Sequence, residues 1–258
     1  MGEDIYSVGV LDKVFTIFNL FNRQEPALTL DEITKRSGFS KSTAFRLLKT
    51  CEKHGFLRYD KKEGGVYRLG LRFLELGGVA YSTTSVREQA AVHIDRLATT
   101  LGATILVGII REDHLFYIDK RESESILRIP SFLGVGHPPY YGALGTVLFA
   151  FMDNNDQQRL WVLFPPQKFT RKTETDISVI SVRLEQIQEN GYFVERGEFM
   201  EGVAGIAVPI RGQTGKVVAA LGAFLPEFQA KETHVKEVLR DLQTASDAIS
   251  REIGIPHF

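Results

Sequence analysis

Cysteine occurs once in these 258 residues, at Cys51, which excludes an intrachain disulfide and any multi-cysteine zinc site and predicts a reducing, cytoplasmic setting. The six histidines (His54, His93, His114, His137, His234 and His257) show no metal-ligand spacing. Neither a P-loop nor a Gly-x-Ser-x-Gly elbow occurs. The sequence therefore predicts no catalytic residues, no bound metal and no cofactor. No apolar run approaches the ~18 residues of a membrane span, so no membrane partner is expected. The opening "MGEDIYSVGV" has no basic stretch of the kind that begins a secretory signal, and it lacks the Ser or Thr of a myristoylation site. Net charge is almost absent as well, at −1. What is present is a globular composition, 43% hydrophobic and 24% charged, in a chain long enough for two domains.

The near-zero charge conceals an asymmetry. Residues 1–70 hold 12 basic and 9 acidic side chains, and residues 34–62 hold 9 basic against 2 acidic. A basic patch at one end of an otherwise acidic chain points to a polyanionic partner. Leu11, Val14, Phe15, Phe18 and Phe21 recur at helical steps, which predicts an amphipathic helix over 9–22 with that stripe buried. After "QEPA", Thr29 and Glu32 form a capping box for a short helix that Gly38 should end. Ser40 can cap a third helix, with Ala44, Leu47, Leu48 and Cys51 inward and Ser42, Arg46, Lys49 and Lys53 outward, Lys41 and Phe45 on the flanks. "FLRYD" and "VYRLG" then alternate as short strands around "KKEGG", a hairpin whose tip carries Lys61 and Lys62. A helix pair followed by a basic hairpin is a winged helix-turn-helix, expected over residues 1–70, with double-stranded DNA as partner. Ser42, Thr43 and Arg46 are expected near base edges; Ser40, Lys41, Phe45, Lys49, Lys61 and Lys62 complete the predicted contact surface, its lysines mainly on phosphate. The alternative is a metabolite-binding protein whose winged helix contacts protein.

Residues 71–84 read as a linker helix with more apolar surface (Leu71, Leu74, Val79) than a tether needs, which predicts a partner subunit. From Ser85 to Phe258 the order is helix, hairpin ("ATILVGIIR", "LFYIDKRE"), helices, a three-strand meander and a final helix. One of those helices, "DISVISVRLEQIQENG", should turn Ile177, Ile180, Leu184 and Ile187 inward. The predicted class is α+β: an N-terminal winged helix-turn-helix domain and, over 85–258, an antiparallel-sheet sensor domain of GAF-like pattern, joined by the linker helix.

The chain resembles the isocitrate-lyase-regulator (IclR) family of bacterial transcription factors over essentially its whole length. The resemblance rests on "LDEITKRSGFSKSTAFRLLKTCEKHGFL", "YRLGLRFLELG", "GALGTVLFAF" and "NGYFVERGEFMEGVAGIAVPIRGQTGKVVAALGAFLP". It implies a homodimer or tetramer that represses or activates transcription from an operator, under control of a small effector, often an organic acid. An effector-independent regulator remains open. By residue-to-residue match, the effector would meet Tyr141, Gly142, Ala143, Leu144, Glu195, Gly205, Gly222 and Phe224. Backbone N–H groups at the helix start near Ala143 and Leu144 suit a carboxylate. The family's usual cysteine is Gly205 here, its serines are Gly222 and Phe224, and its lysine is Thr146. Polar groups are thus exchanged for aromatic surface, which implies a larger or more apolar, hydroxylated or aromatic monoacid.

Overall fold

A computed structural model describes residues 8–22, 24–61, 64–82, 85–122 and 133–253. It divides into two compact units, Met1–Thr83 and Thr84–Phe258.

In the first unit, helix α1 (Gly9–Phe18) precedes strand β1 (Ala27–Thr29), helices α2 (Leu30–Ser37) and α3 (Lys41–Lys53), strands β2 (Leu57–Asp60) and β3 (Val66–Leu69), and helix α4 (Arg72–Ser82). Local chemistry sets these boundaries. The Thr29 hydroxyl accepts from the Glu32 N–H while the Glu32 carboxylate accepts from the Thr29 N–H, so both orphan donors at the start of α2 are satisfied. Gly38 ends α2 in the left-handed region at φ 72°, where a side chain would be strained. Ser40 caps α3 by accepting from the Thr43 N–H at 3.3 Å. The core holds Ile17, Leu28, Ile33, Leu48, Cys51, Leu57 and Tyr67, and Phe73 of α4 meets Phe18 and Phe56 edge-on at 4.9 and 5.1 Å.

One expectation for this unit is corrected. Helix α1 stops at Phe18, and its buried residue is Ile17, while Leu11 and Phe15 are 51% and 56% exposed. Within the unit only one narrow stripe of α1 has anything to pack against. Strand β1 was not foreseen; three residues are too few to alternate, yet they pair with β3 in a sheet of order β1-β3-β2. Lys61 is exposed on the wing, whereas Lys62 lies outside the described residues.

The second unit begins with α5 (Ser85–Leu101) and the β4–β5 hairpin (Thr104–Arg111, His114–Arg121). Strand β6 (Gly136–His137) leads to α6 (Gly142–Ala150), α7 (Asn154–Leu163) and α8 (Ile177–Asn190). Strands β7 (Phe193–Arg196), β8 (Val203–Arg211) and β9 (Val217–Pro226) precede α9 (Glu232–Glu252). All neighbours in the sheet, β6-β5-β4-β9-β8-β7, are antiparallel. Ile105, Val107, Ile206, Val208 and Leu221 face α5 and α9, and Leu106, Leu115, Ala207, Ala220 and Phe224 face α6 and α8. Burial on both faces explains why β4, β8 and β9 read as continuous apolar runs instead of alternating. The chain is thus α+β, with a small-sheet helix-turn-helix unit followed by an antiparallel-sheet unit.

Two elements here escaped the sequence reading. Strand β6 is two residues long, and α7 carries Leu160 as its one buried residue, so neither has a readable period. Helix α6 starts at Gly142, ahead of the apolar "TVLFAFM" run. Ile177, placed inward from its spacing, is 43% exposed because the first turn of α8 projects past the core that holds Ile180, Leu184 and Ile187.

Candidate functional site

The outward face of α3 gathers most of the side chains expected to read DNA. Ser40 Oγ lies 3.2 Å from Ser42 Oγ and 2.9 Å from Thr43 Oγ1, so the first turn presents a knot of small hydroxyls. Lys41 Nζ pairs with Asp31 at 2.7 Å. Lys49 Nζ pairs with Glu52 at 2.7 Å and sits 5.2 Å from the centre of the Tyr59 ring and 6.0 Å from that of Phe45. The Glu52 hydrogen bond holds the Lys49 ammonium above its ordinary pKa. These are solvent-exposed, weakly held pairs, and a phosphate can replace the carboxylate. Arg46 is different. It is exposed, and among the described residues its guanidinium has no ion pair or side-chain hydrogen bond. Its five N–H donors stand free beside the hydroxyl knot. Cys51 faces the core, and burial raises its thiol pKa.

In the second unit, strand pairing brings part of the expected effector set together. Glu195 lies opposite Gly205, and Gly205 opposite Phe224, in one row across β7, β8 and β9. The Phe224 ring occupies the space above the two glycines: a Cβ on Gly205 would meet it at 2.9 Å, and one on Gly222 at 3.2 Å. Ala143 and Leu144 close the other side of that ring and are fully buried. Gly205, Gly222, Phe224, Ala143 and Leu144 therefore form packed core and do not line the cavity.

The cavity itself opens beside this row. From the expected set it is lined by Gly142 and Glu195. Aromatic walls come from Tyr140, Trp161, Phe169, Phe193 and Phe199, and polar groups from Thr146, Thr173, Arg183 and Glu198. Tyr141 stands behind the wall, stacked on His137 at 4.4 Å and edge-on to Phe199 at 3.8 Å. The segment between α7 and α8 is strapped down: Thr170 Oγ1 donates to Gly197 O at 2.7 Å, and Thr173 Oγ1 bonds Glu198 O.

Electrostatics in the cavity centre on two groups. Glu195 is 3% exposed, and burial holds its carboxyl up at about 7, although one oxygen accepts the Phe199 N–H at 2.9 Å. Arg183 donates from Nη1 to Glu198 Oε2 at 2.8 Å and lies over the Phe193 ring at 5.3 Å. The sequence did hold a signal for Arg183, a charged residue next to the inward Ile180, Leu184 and Ile187 stripe. The aromatic liners gave none, because they meet only through loops far apart in sequence.

Comparison with known proteins decides the lineage. Residues 10–61 match the IclR helix-turn-helix domain, and residues 79–251 match the bacterial transcriptional regulator IclR C-terminal domain. The chain belongs to the IclR family. Among curated IclR-type relatives, the HTH-type transcriptional regulator XynR of Escherichia coli is 30% identical over 95% of this chain and 97% of that protein. The HTH-type transcriptional regulator KdgR of the same organism is 31% identical over 96% and 94%. The Thermotoga maritima IclR crystal structure superposes with a TM-score of 0.76 at 25% identity, covering 95% of this chain and 99% of that one. An IclR homologue from Microbacterium hydrocarbonoxydans, solved with 4-hydroxybenzoate, shares the fold with a TM-score of 0.82 at 22% identity, covering 95% and 98%. The protein is accordingly a DNA-binding transcriptional regulator that uses its helix-turn-helix, and its family is one of regulators and not of enzymes. Among the described residues no helix is long and apolar enough to cross a membrane.

Proposed function

We propose that this IclR-type regulator reads its operator with Arg46 and the Ser42–Thr43 turn, and that a small organic acid or aromatic effector in the second-unit cavity modulates that binding. The division of labour is a winged helix-turn-helix domain over 1–70, a linker helix over 71–84 and a GAF-like effector domain over 85–258, acting in the cytoplasm. The observation that carries the DNA reading is the unpaired Arg46 fork on a capped helix on which Lys41 and Lys49 are already paired with carboxylates. An arginine can pair with the two acceptors of a guanine, a contact worth about 1–3 kcal/mol of discrimination. Arg46→Ala should therefore narrow the gap between operator and random DNA, measured by fluorescence anisotropy. Lys61→Ala should weaken both alike and reduce the salt slope by about 0.9. Equal weakening of operator and random DNA by Arg46→Ala would exclude base reading by this residue, and salt-insensitive binding would favour a protein partner.

The same reading includes a homodimer. Leu11 and Phe15 on α1 and, on the linker side, Leu71 (75% exposed) and Leu74 (73%) present apolar surface with nothing in the unit to cover it. A second copy offering the same face would bury it. Light scattering at micromolar concentration should give a dimeric or larger mass, and Leu74→Glu should shift it toward the monomer. A monomeric parent counts against the assembly.

The effector class is supported by the aromatic walls and by Glu195, which suits a hydroxyl donor better than a second carboxylate. The 4-hydroxybenzoate held by the Microbacterium relative has the same chemistry.

A further inference from the structure

The expected anion position, at the Ala143 and Leu144 amides, lies in packed core, which leaves open where the effector's charged end goes. Among the groups lining the cavity one is cationic, Arg183. Three liners are acidic: Glu174, Glu195 and Glu198. All three already take a hydrogen bond, Glu195 from the Phe199 N–H at 2.9 Å. Glu174 accepts from the Thr175 and Asp176 N–H groups at 2.7 and 2.8 Å, and Glu198 takes Arg183. On the strap, Lys172 is committed to Glu227 at 2.5 Å.

Arg183 is only partly used. Among the described residues its sole side-chain hydrogen bond is the one from Nη1 to Glu198, so the Nε–Nη2 edge of the fork is open. Its side chain is 26% exposed, and the guanidinium rests on the face of Phe193, which fixes its plane. A fixed, half-buried guanidinium with one free edge in an aromatic cavity fits a carboxylate with two oxygens. Glu195 at the sheet wall accepts the Phe199 N–H on one oxygen and can take a further donor on the other.

We infer that Arg183 anchors the effector's carboxylate in competition with Glu198, while a hydroxyl elsewhere on the same ligand donates to Glu195. The ligand class is a flat monocarboxylic acid bearing a hydroxyl. Once Glu195 is ionised, above about 7, a dicarboxylate would set its second charge against it. The inference rests on the effector reading above and specifies which residue holds which end. It also gives Glu198 a regulatory role. Its backbone carbonyl takes the Thr173 hydroxyl of the strap, so a ligand that draws Arg183 from the Glu198 side chain acts on the same residue that ties the strap down.

Trp161 is the one tryptophan in the chain and lines this cavity, so its fluorescence reports ligand there. The probes are 4-hydroxybenzoate and, as an uncharged counterpart, 4-hydroxybenzyl alcohol, titrated into the full-length protein. Arg183→Gln should weaken the acid about 10–100-fold, the span of a lost hydrogen-bonded charge contact. Glu198→Gln should tighten the acid, because a competing negative charge is gone. Neither variant should change the alcohol much. If Arg183→Gln fails to fold, the sign of the Glu198→Gln effect still decides: unchanged or weaker acid binding overturns the anchor. Acid binding that quenches Trp161 equally in parent and Arg183→Gln also overturns the anchor and leaves the effector cavity standing. If neither probe perturbs Trp161 in the parent, the effector reading falls and the anchor with it.

Discussion

Replacing Gly70 by alanine is expected to abolish DNA binding by dismantling the wing. Gly70 follows β3, and its N–H donates to Phe56 O at 2.8 Å, while the Gly55 carbonyl accepts the Arg72 N–H at 3.3 Å. The chain leaving α3 and the chain entering α4 are thus sewn together backbone to backbone. A Cβ at residue 70 would run into Gly55 O and come within 2.8 Å of the Gly55 carbonyl carbon and 3.0 Å of that of Phe56. Neither neighbour is a side chain that can rotate away, so the strands must part. Forced overpacking of this kind costs about 3 kcal/mol or more. Hydrogen exchange along β2 and β3 should lose its protection, and operator and random DNA should be lost together. Parent-like protection in the variant would show that the backbone can yield.

The second large effect concerns Glu195. In the unfolded chain a glutamate releases its proton near 4.5, whereas burial holds this one to about 7 in the folded protein. Between those values the folded state binds more protons than the unfolded state, so stability falls as pH rises through this window and stays low above it. The loss amounts to about 3 kcal/mol for a shift of this size. Glu195→Gln keeps an oxygen for the Phe199 N–H and has no proton to lose. At pH 8 the variant should melt about 5–10 °C above the parent, followed by Trp161 fluorescence in the same unit. At pH 5 the two should nearly coincide. A gap that does not change with pH would remove Glu195 as the titrating group.

Much of this protein was legible because its chemistry is local. Thr29, Glu32, Gly38 and Ser40 bound their helices through bonds spanning three or four residues, and those bonds form wherever the rest of the chain goes. The inward stripe of α3 followed from helical period alone, and the excess of basic over acidic residues in 34–62 pointed to a polyanion before any coordinates. The family was legible too, since its motifs are contiguous stretches of sequence. The tertiary structure decided what depends on residues far apart in the chain. Strand register put Phe224 over Gly205 and Gly222, turning presumed ligand contacts into core. The packing of α8 against α6, with the strap tied to Glu198, brought Trp161, Arg183 and Glu195 into one cavity. No period or spacing encodes that meeting, because it is made by the closure of long loops and the pairing of strands. For the same reason Leu11 and Phe15 read as core in the sequence and stand exposed in the unit: an amphipathic pattern records that a face will be covered, and not by which chain.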